Sequence, residues 1–162
     1  MHFKKIILLV IMLLASIANA CEPAIDLQVS ENITPTNNNP SLIVFVSLGM
    51  PKHSLQQWNL QVAKAGGVLV LRGFVNNSMK QTVKKITEIL GKEPQGGFSI
   101  DPEKFKKFNI KVVPTVLVTS NHTSFDKVSG DASLTYALEK IVADGEHGKV
   151  AKVWLKKLQG DL

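Results

Sequence analysis

Val112-Val113-Pro114-Thr115-Val116-Leu117-Val118 decides how the rest of the chain reads. The short apolar run after Thr115 suits a strand buried on both faces of a sheet. A proline stands directly before it, and X-Pro is the peptide bond whose cis form costs only about 0.5–1 kcal/mol. On these residues alone Pro114 is either a cis, site-forming residue or a trans, purely structural one. Two further runs of the same kind lie upstream, Leu42-Ile43-Val44-Phe45-Val46 and Val68-Leu69-Val70-Leu71. Between them Leu55, Trp58, Val62 and Ala65 recur at helical spacing and Gly66-Gly67 stops the segment, which predicts a βαβ unit.

Beyond the second run, Met79, Val83, Ile86 and Leu90 predict a helix with these residues on its inner face. Ser78 and Gln81 are placed as a capping box, Gly91 follows the end, and Lys80, Lys84 and Lys85 form a solvated outer face. A short strand over 97–100 leads into Asp101-Pro102, a helix start with proline at the first position, and Phe105 and Phe108 share one face. A strand over 125–128, a turn at Gly130-Asp131, and a helix burying Leu134, Ala137, Leu138 and Ile141 that stops near Gly145 complete the pattern. This order predicts an α/β, thioredoxin-like fold: a central mixed β-sheet flanked by helices, here lacking the Cys-x-x-Cys motif. In that fold a cis proline before a central strand lies opposite the start of the first long helix, where redox cysteines stand, and exposes backbone to a bound peptide.

Lys4 and Lys5, the apolar stretch from Ile6 to Leu14, and Ala18-Asn19-Ala20 predict a signal peptide over 1–20, cleaved between Ala20 and Cys21. Residues 21–41, rich in Asn, Pro, Ser and Thr, form an arm; 42–145 form the domain; 146–162 form a basic amphipathic tail. The formal charge of +6 falls to +4 without Lys4 and Lys5, and the lysines are dispersed. That pattern suits solubility and an acidic partner and argues against a nucleic-acid protein. In the tail, Val150, Val153, Trp154 and Leu158 share a face that either covers the core or docks on a partner or an anionic membrane surface.

Cys21 is the single cysteine, so no disulfide can form within the chain. It is either a free terminal thiol or the lipidated first residue of a lipoprotein; Ala18 and Asn19 fit the second poorly. Where a Cys-x-x-Cys would stand the chain has Leu48-Gly49-Met50-Pro51-Lys52-His53, which offers no thiolate for disulfide exchange. The expected activity is therefore binding rather than catalysis, with no cofactor and no metal. The expected contact edge is Gly49, Met50, Pro51, Lys52 and His53, beside Arg72, Pro114 and Thr115. Ser47 and His53 lack the strained Gly-x-Ser-x-Gly elbow of a hydrolase. His53, His122 and His147 are too widely spaced for a zinc site and read as surface residues. Arg72, the sole arginine, ends an apolar strand and requires solvent or a partner, such as an acid in an ion pair.

Phe45-Val46-Ser47, Met50-Pro51, Ser54-Leu55, Leu71-Arg72-Gly73-Phe74, Ile100-Asp101-Pro102, Val113-Pro114-Thr115, Gly130-Asp131, Ser133-Leu134 and Tyr136-Ala137-Leu138-Glu139, in that order, resemble the TrbC family of F-type conjugative transfer systems. The resemblance spans about 42–141. It implies a periplasmic pilus assembly protein of a type IV secretion system, associated with TraW, to which TrbC is fused in some systems. It also implies a thioredoxin-like domain without dithiol activity, and it brings no catalytic residues with it. The competing expectation is a periplasmic thiol-dependent or chaperone-like protein of the same fold, attached to the membrane through Cys21 or linked through it to a second chain. The intact mass of the exported protein separates these: a free thiol gives a chain starting at Cys21 with no acyl increment, whereas a lipoprotein carries that increment.

Overall fold

In the computed structural model, which describes residues 40–92, 94–120 and 124–160, strand β1 (Ser41–Val46) is buried from Leu42 to Val46. The leader, nearly all of the arm, Cys21 and His122 lie outside the described residues. The two-residue period of a strand sends Leu42, Val44 and Val46 into one core cluster and Ile43 and Phe45 into another on the opposite face. A sequence that reads as a continuous apolar run is thus two interleaved half-faces. It forms the middle of a sheet covered on both sides.

The sheet has the order β3-β2-β1-β4-β5. β1 runs parallel to β2 (Val68–Leu71), which runs parallel to β3 (Phe98–Ile100). On its other side β1 is antiparallel to β4 (Thr115–Thr119), and β4 to β5 (Asp126–Ser129). Helix α1 (Lys52–Ala65) makes the crossover from β1 to β2, α2 (Met79–Leu90) and α3 (Pro102–Lys107) flank β3, and α4 (Leu134–Asp144) and α5 (Gly148–Gln159) follow β5. The Val113-Pro114 bond entering β4 is cis. A central βαβ unit, an antiparallel pair entered through a cis proline, and a closing helix make the fold thioredoxin-like.

The larger cluster joins the Leu42 face of the sheet to Leu55, Trp58, Val62 and Ala65 of α1, Ile89 of α2, Leu134, Ala137, Leu138 and Ile141 of α4, and Ala151, Trp154 and Leu158 of α5. The smaller cluster packs Phe105, Phe108 and Ile110 against Ile43, Phe45, Val70 and Leu117. There the Phe45 and Phe105 rings meet edge to face at 4.8 Å and 79°, and Phe108 and Phe125 do so at 5.0 Å and 77°. Helix ends follow their capping residues. The Asp101 carboxylate accepts from Lys104 N at 2.9 Å, Ser133 Oγ accepts from Tyr136 N at 3.1 Å, and Gly66 closes α1 with φ of 79°.

Four expectations are corrected. Met79 and Val83 are 58% and 53% exposed, and α2 buries Thr82 and Ile89 instead. The Thr82 hydroxyl accepts from Val75 N at 2.8 Å and donates to Ser78 O at 2.8 Å, which turns that side of the first turn inward. The Ser78 cap forms, but Gln81 Oε1 accepts from Asn76 Nδ2 at 2.9 Å rather than returning to Ser78, so the box is half made. In α5, Val153 is 48% exposed and Ala151 takes the buried place beside Trp154 and Leu158. The basic tail is packed into the core by these three residues. His147, expected at the surface, is only 5% exposed.

Phe45→Ala is expected to lower unfolding free energy by about 3–5 kcal/mol through the lost ring and the cavity left behind. Val153→Ser should stay within about 0.5 kcal/mol of the parent. Denaturant titration of the two variants checks both values.

Candidate functional site

The loop from β1 to α1 is held by its own backbone: Met50 N donates to Ser47 O at 3.1 Å and Gly49 N to Ser47 Oγ at 3.2 Å. Pro51 then presets the entry to α1, whose Leu55 N donates to Pro51 O at 3.1 Å. Gly49, Pro51, Lys52 and His53 are exposed, while Met50 is half-buried against the larger cluster.

Across from this loop the cis bond leads into residues that face inward. Pro114 and Thr115 are buried. Thr115 Oγ1 donates to Val112 O at 2.7 Å and lies 2.8 Å from Ser129 Oγ, which must therefore be the donor of that pair. Pro114 O accepts from Gly130 N at 3.0 Å. Entry into a central strand thus engages the Thr115 hydroxyl and the Pro114 carbonyl within the domain. The residue before them differs. Val113 is half-buried, and among the described residues no hydrogen bond engages its backbone.

Val113 lines a groove of about 530 Å³ at the carboxyl ends of β1 and β2, with Leu48, Gly49, Phe74 and Phe105 among its walls. Arg72 enters it from the end of β2. Its Nη2 donates to Ile110 O at 2.9 Å and its guanidinium lies 4.9 Å from the Phe105 ring centroid. Among the described residues its partners are thus a carbonyl and a ring rather than an acid. Lys85 and Lys111 also line the groove, and every charged lining residue is basic. Lys52 and His53 are not part of it.

Two polar constellations went unread in the sequence. Asp131 Oδ1 accepts from Ser54 Oγ at 3.0 Å and Trp58 Nε1 at 3.3 Å, tying the turn after β5 to the start of α1. The Gly130-Asp131 pair was visible, but its partners lie more than seventy residues away. The second is Asp126, whose Oδ2 accepts from His147 N at 2.7 Å and meets His147 Nδ1 at 3.1 Å, while His147 Nε2 is 3.2 Å from Ser124 Oγ. The series has the composition of a hydrolytic triad. The imidazole is buried, however, and the same carboxylate oxygen also caps the backbone at the start of α5. It is a latch between β5 and α5, and an added Cβ at Gly145 would come within 2.6 Å of Asp126 Oδ2. Among the described residues no three His, Cys, Asp or Glu side chains cluster as metal ligands, and no helix is long and apolar enough to cross a membrane.

Together, the topology, the cis proline and a cysteine-free β1–α1 loop define a thioredoxin-like domain without the paired thiols of an oxidoreductase. The sequence profile of the type-F conjugative transfer system pilin assembly proteins, TrbC, matches residues 44–141, and the chain belongs to that family. A relative named periplasmic protein TrbC, from Escherichia coli (strain K12), is 30% identical over 109 residues, covering 67% of this chain and 51% of its own length. The chain thus spans about half of that relative, whose periplasmic location it shares. Among solved structures, StoA from Bacillus subtilis is similar at 17% identity and a TM-score of 0.44, covering 61% of this chain and 79% of that one. The MTB dsbF structure, in mixed oxidized and reduced forms, has 15% identity, a TM-score of 0.44, and coverage of 76% and 81%.

Asp101, in the Ile100-Asp101-Pro102 motif, also carries a charge effect. Burial pushes its carboxyl upward, but the Lys104 ammonium at 2.8 Å and the backbone amides at the start of α3 outweigh that and hold it below the usual aspartate value. Its stabilisation is therefore complete above the unfolded value of about 3.9 and is lost as pH falls through the lower folded value. Asp101→Asn, which keeps the cap and removes the charge, should cost up to about 1 kcal/mol at neutral pH, the pair being partly exposed. The difference from the parent should shrink toward zero in acid below the folded value, as urea titrations over a pH series will register.

Proposed function

We propose that this protein is a periplasmic pilus assembly factor of an F-type conjugative type IV secretion system, acting by protein–protein contact and not as an enzyme. The observation that carries the proposal is the pairing of a retained scaffold with absent chemistry. The loop into α1 and the cis proline stand where a thioredoxin-like oxidoreductase keeps its site, yet Leu48-Gly49-Met50-Pro51-Lys52-His53 holds no thiol. What that scaffold offers is surface: an exposed loop end at Gly49, Pro51, Lys52 and His53, and an adjoining groove. Membership of a pilin assembly family supports partners among the secretion-channel components, with a TraW-like protein as the first expected.

Affinity capture of the tagged mature protein from the periplasm of cells carrying its neighbouring transfer genes, read by mass spectrometry, tests the proposal. A TraW-like or other channel component should be recovered at a stable ratio and survive reducing agent. Recovery only of mixed disulfides through Cys21, or of no transfer component, would overturn it.

A further inference from the structure

Groove, charge and backbone coincide at one place. At the carboxyl ends of β1 and β2, the position where open α/β sheets receive ligands, the walls are apolar: Leu48, Leu71, Phe74, Phe105 and Val113 among them. A volume of about 530 Å³ is that of a site for a few side chains. Three cations converge there from three separate elements: Arg72 after β2, Lys85 on α2 and Lys111 before β4. No carboxylate lines the groove to neutralise them. The positive field at this apolar-walled groove is therefore unopposed by the lining.

Two details narrow the occupant to a peptide. Among the described residues the Val113 backbone has no hydrogen-bond partner, so a peptide main chain can pair there. Phe74, one of the groove walls, is 42% exposed, offering apolar contact to side chains that flank a charge. Arg72 is preorganised by Ile110 O and the Phe105 ring, which leaves its remaining N–H groups for a carboxylate.

We propose that this groove binds an acidic segment of a protein partner, one that places Asp or Glu carboxylates on Arg72, Lys85 and Lys111 and an apolar side chain between the groove walls. This deepens the assembly-factor proposal and rests on it. Lys85 and Lys111 are exposed, and among the described residues neither forms an ion pair with an acid, so reversing them leaves the core untouched.

The probe is an acetylated nine-residue peptide of alternating Asp and Glu around a central Leu and Phe, titrated into the 15N-labelled exported chain at low salt. Amide shifts should concentrate at Leu48, Gly49, Gly73, Phe74 and Val113. Affinity should fall at least tenfold in the K85E/K111E double variant. It should also weaken as salt rises, and when Lys replaces the acids or Ser replaces Leu and Phe. Unchanged affinity in the double variant, equal binding of the Lys or Ser peptides, or shifts confined to other surfaces would overturn the groove assignment. Self-association through the groove that the peptide does not displace would do the same. Capture of a transfer component equally well by parent and double variant would sink the groove while sparing the assembly role. Failure of the parent to capture one would sink the role itself.

Discussion

Everything in this structure depends on β1 being buried on both faces. Its five consecutive apolar residues have no solvent side, so each face must be covered by separate elements: α1, α4 and α5 on one, the Phe105–Ile110 segment on the other. Register follows from the same constraint. A slip of one residue would exchange Phe45 with Val44 and place a large ring where the helix face accepts a small branched side chain. With β1 fixed, its carboxyl end becomes a fixed point as well, and the loop to α1, the end of β2 and the approach to β4 all meet there.

The elements legible in the sequence are those whose burial is decided locally. Leu134, Ala137, Leu138 and Ile141 face the core as their spacing predicts, because a plain apolar stripe has one way to be satisfied. α2 was misread because a threonine hydroxyl, not an apolar side chain, sets its inward face: Thr82 is needed by Val75 N and Ser78 O. His147 was misread because what draws it inside is Asp126, twenty-one residues away and on another element. A period in the sequence reports apolar area. It does not report which distant carboxylate a polar group will find.

The site divides along the same line. The missing thiols were visible in the residues themselves, since exchange that needs a thiolate finds no cysteine at Leu48–His53; Pro114 was visible only as a candidate, because an X-Pro bond admits both isomers and the fold selects cis. The basic groove was not, because Arg72, Lys85 and Lys111 come from three elements and converge only in the fold. Thr115 fell the other way: it adjoins the cis proline in sequence, yet its hydroxyl is consumed by Val112 O and Ser129 Oγ within the domain. The thioredoxin-like scaffold thus presents a positively charged recess beside a structural turn.

Assembly by contact, as proposed, asks nothing of a thiol, and since Cys21 is the chain's single sulfhydryl, one substitution tests it. The measurement is pilus formation and conjugative transfer in cells whose own copy is replaced by the Cys21→Ser chain, with export of the variant verified by its mature mass. Transfer and piliation at the parental level are predicted. Loss of both in a correctly exported, folded variant would contradict the account and return the cysteine to the centre of the mechanism.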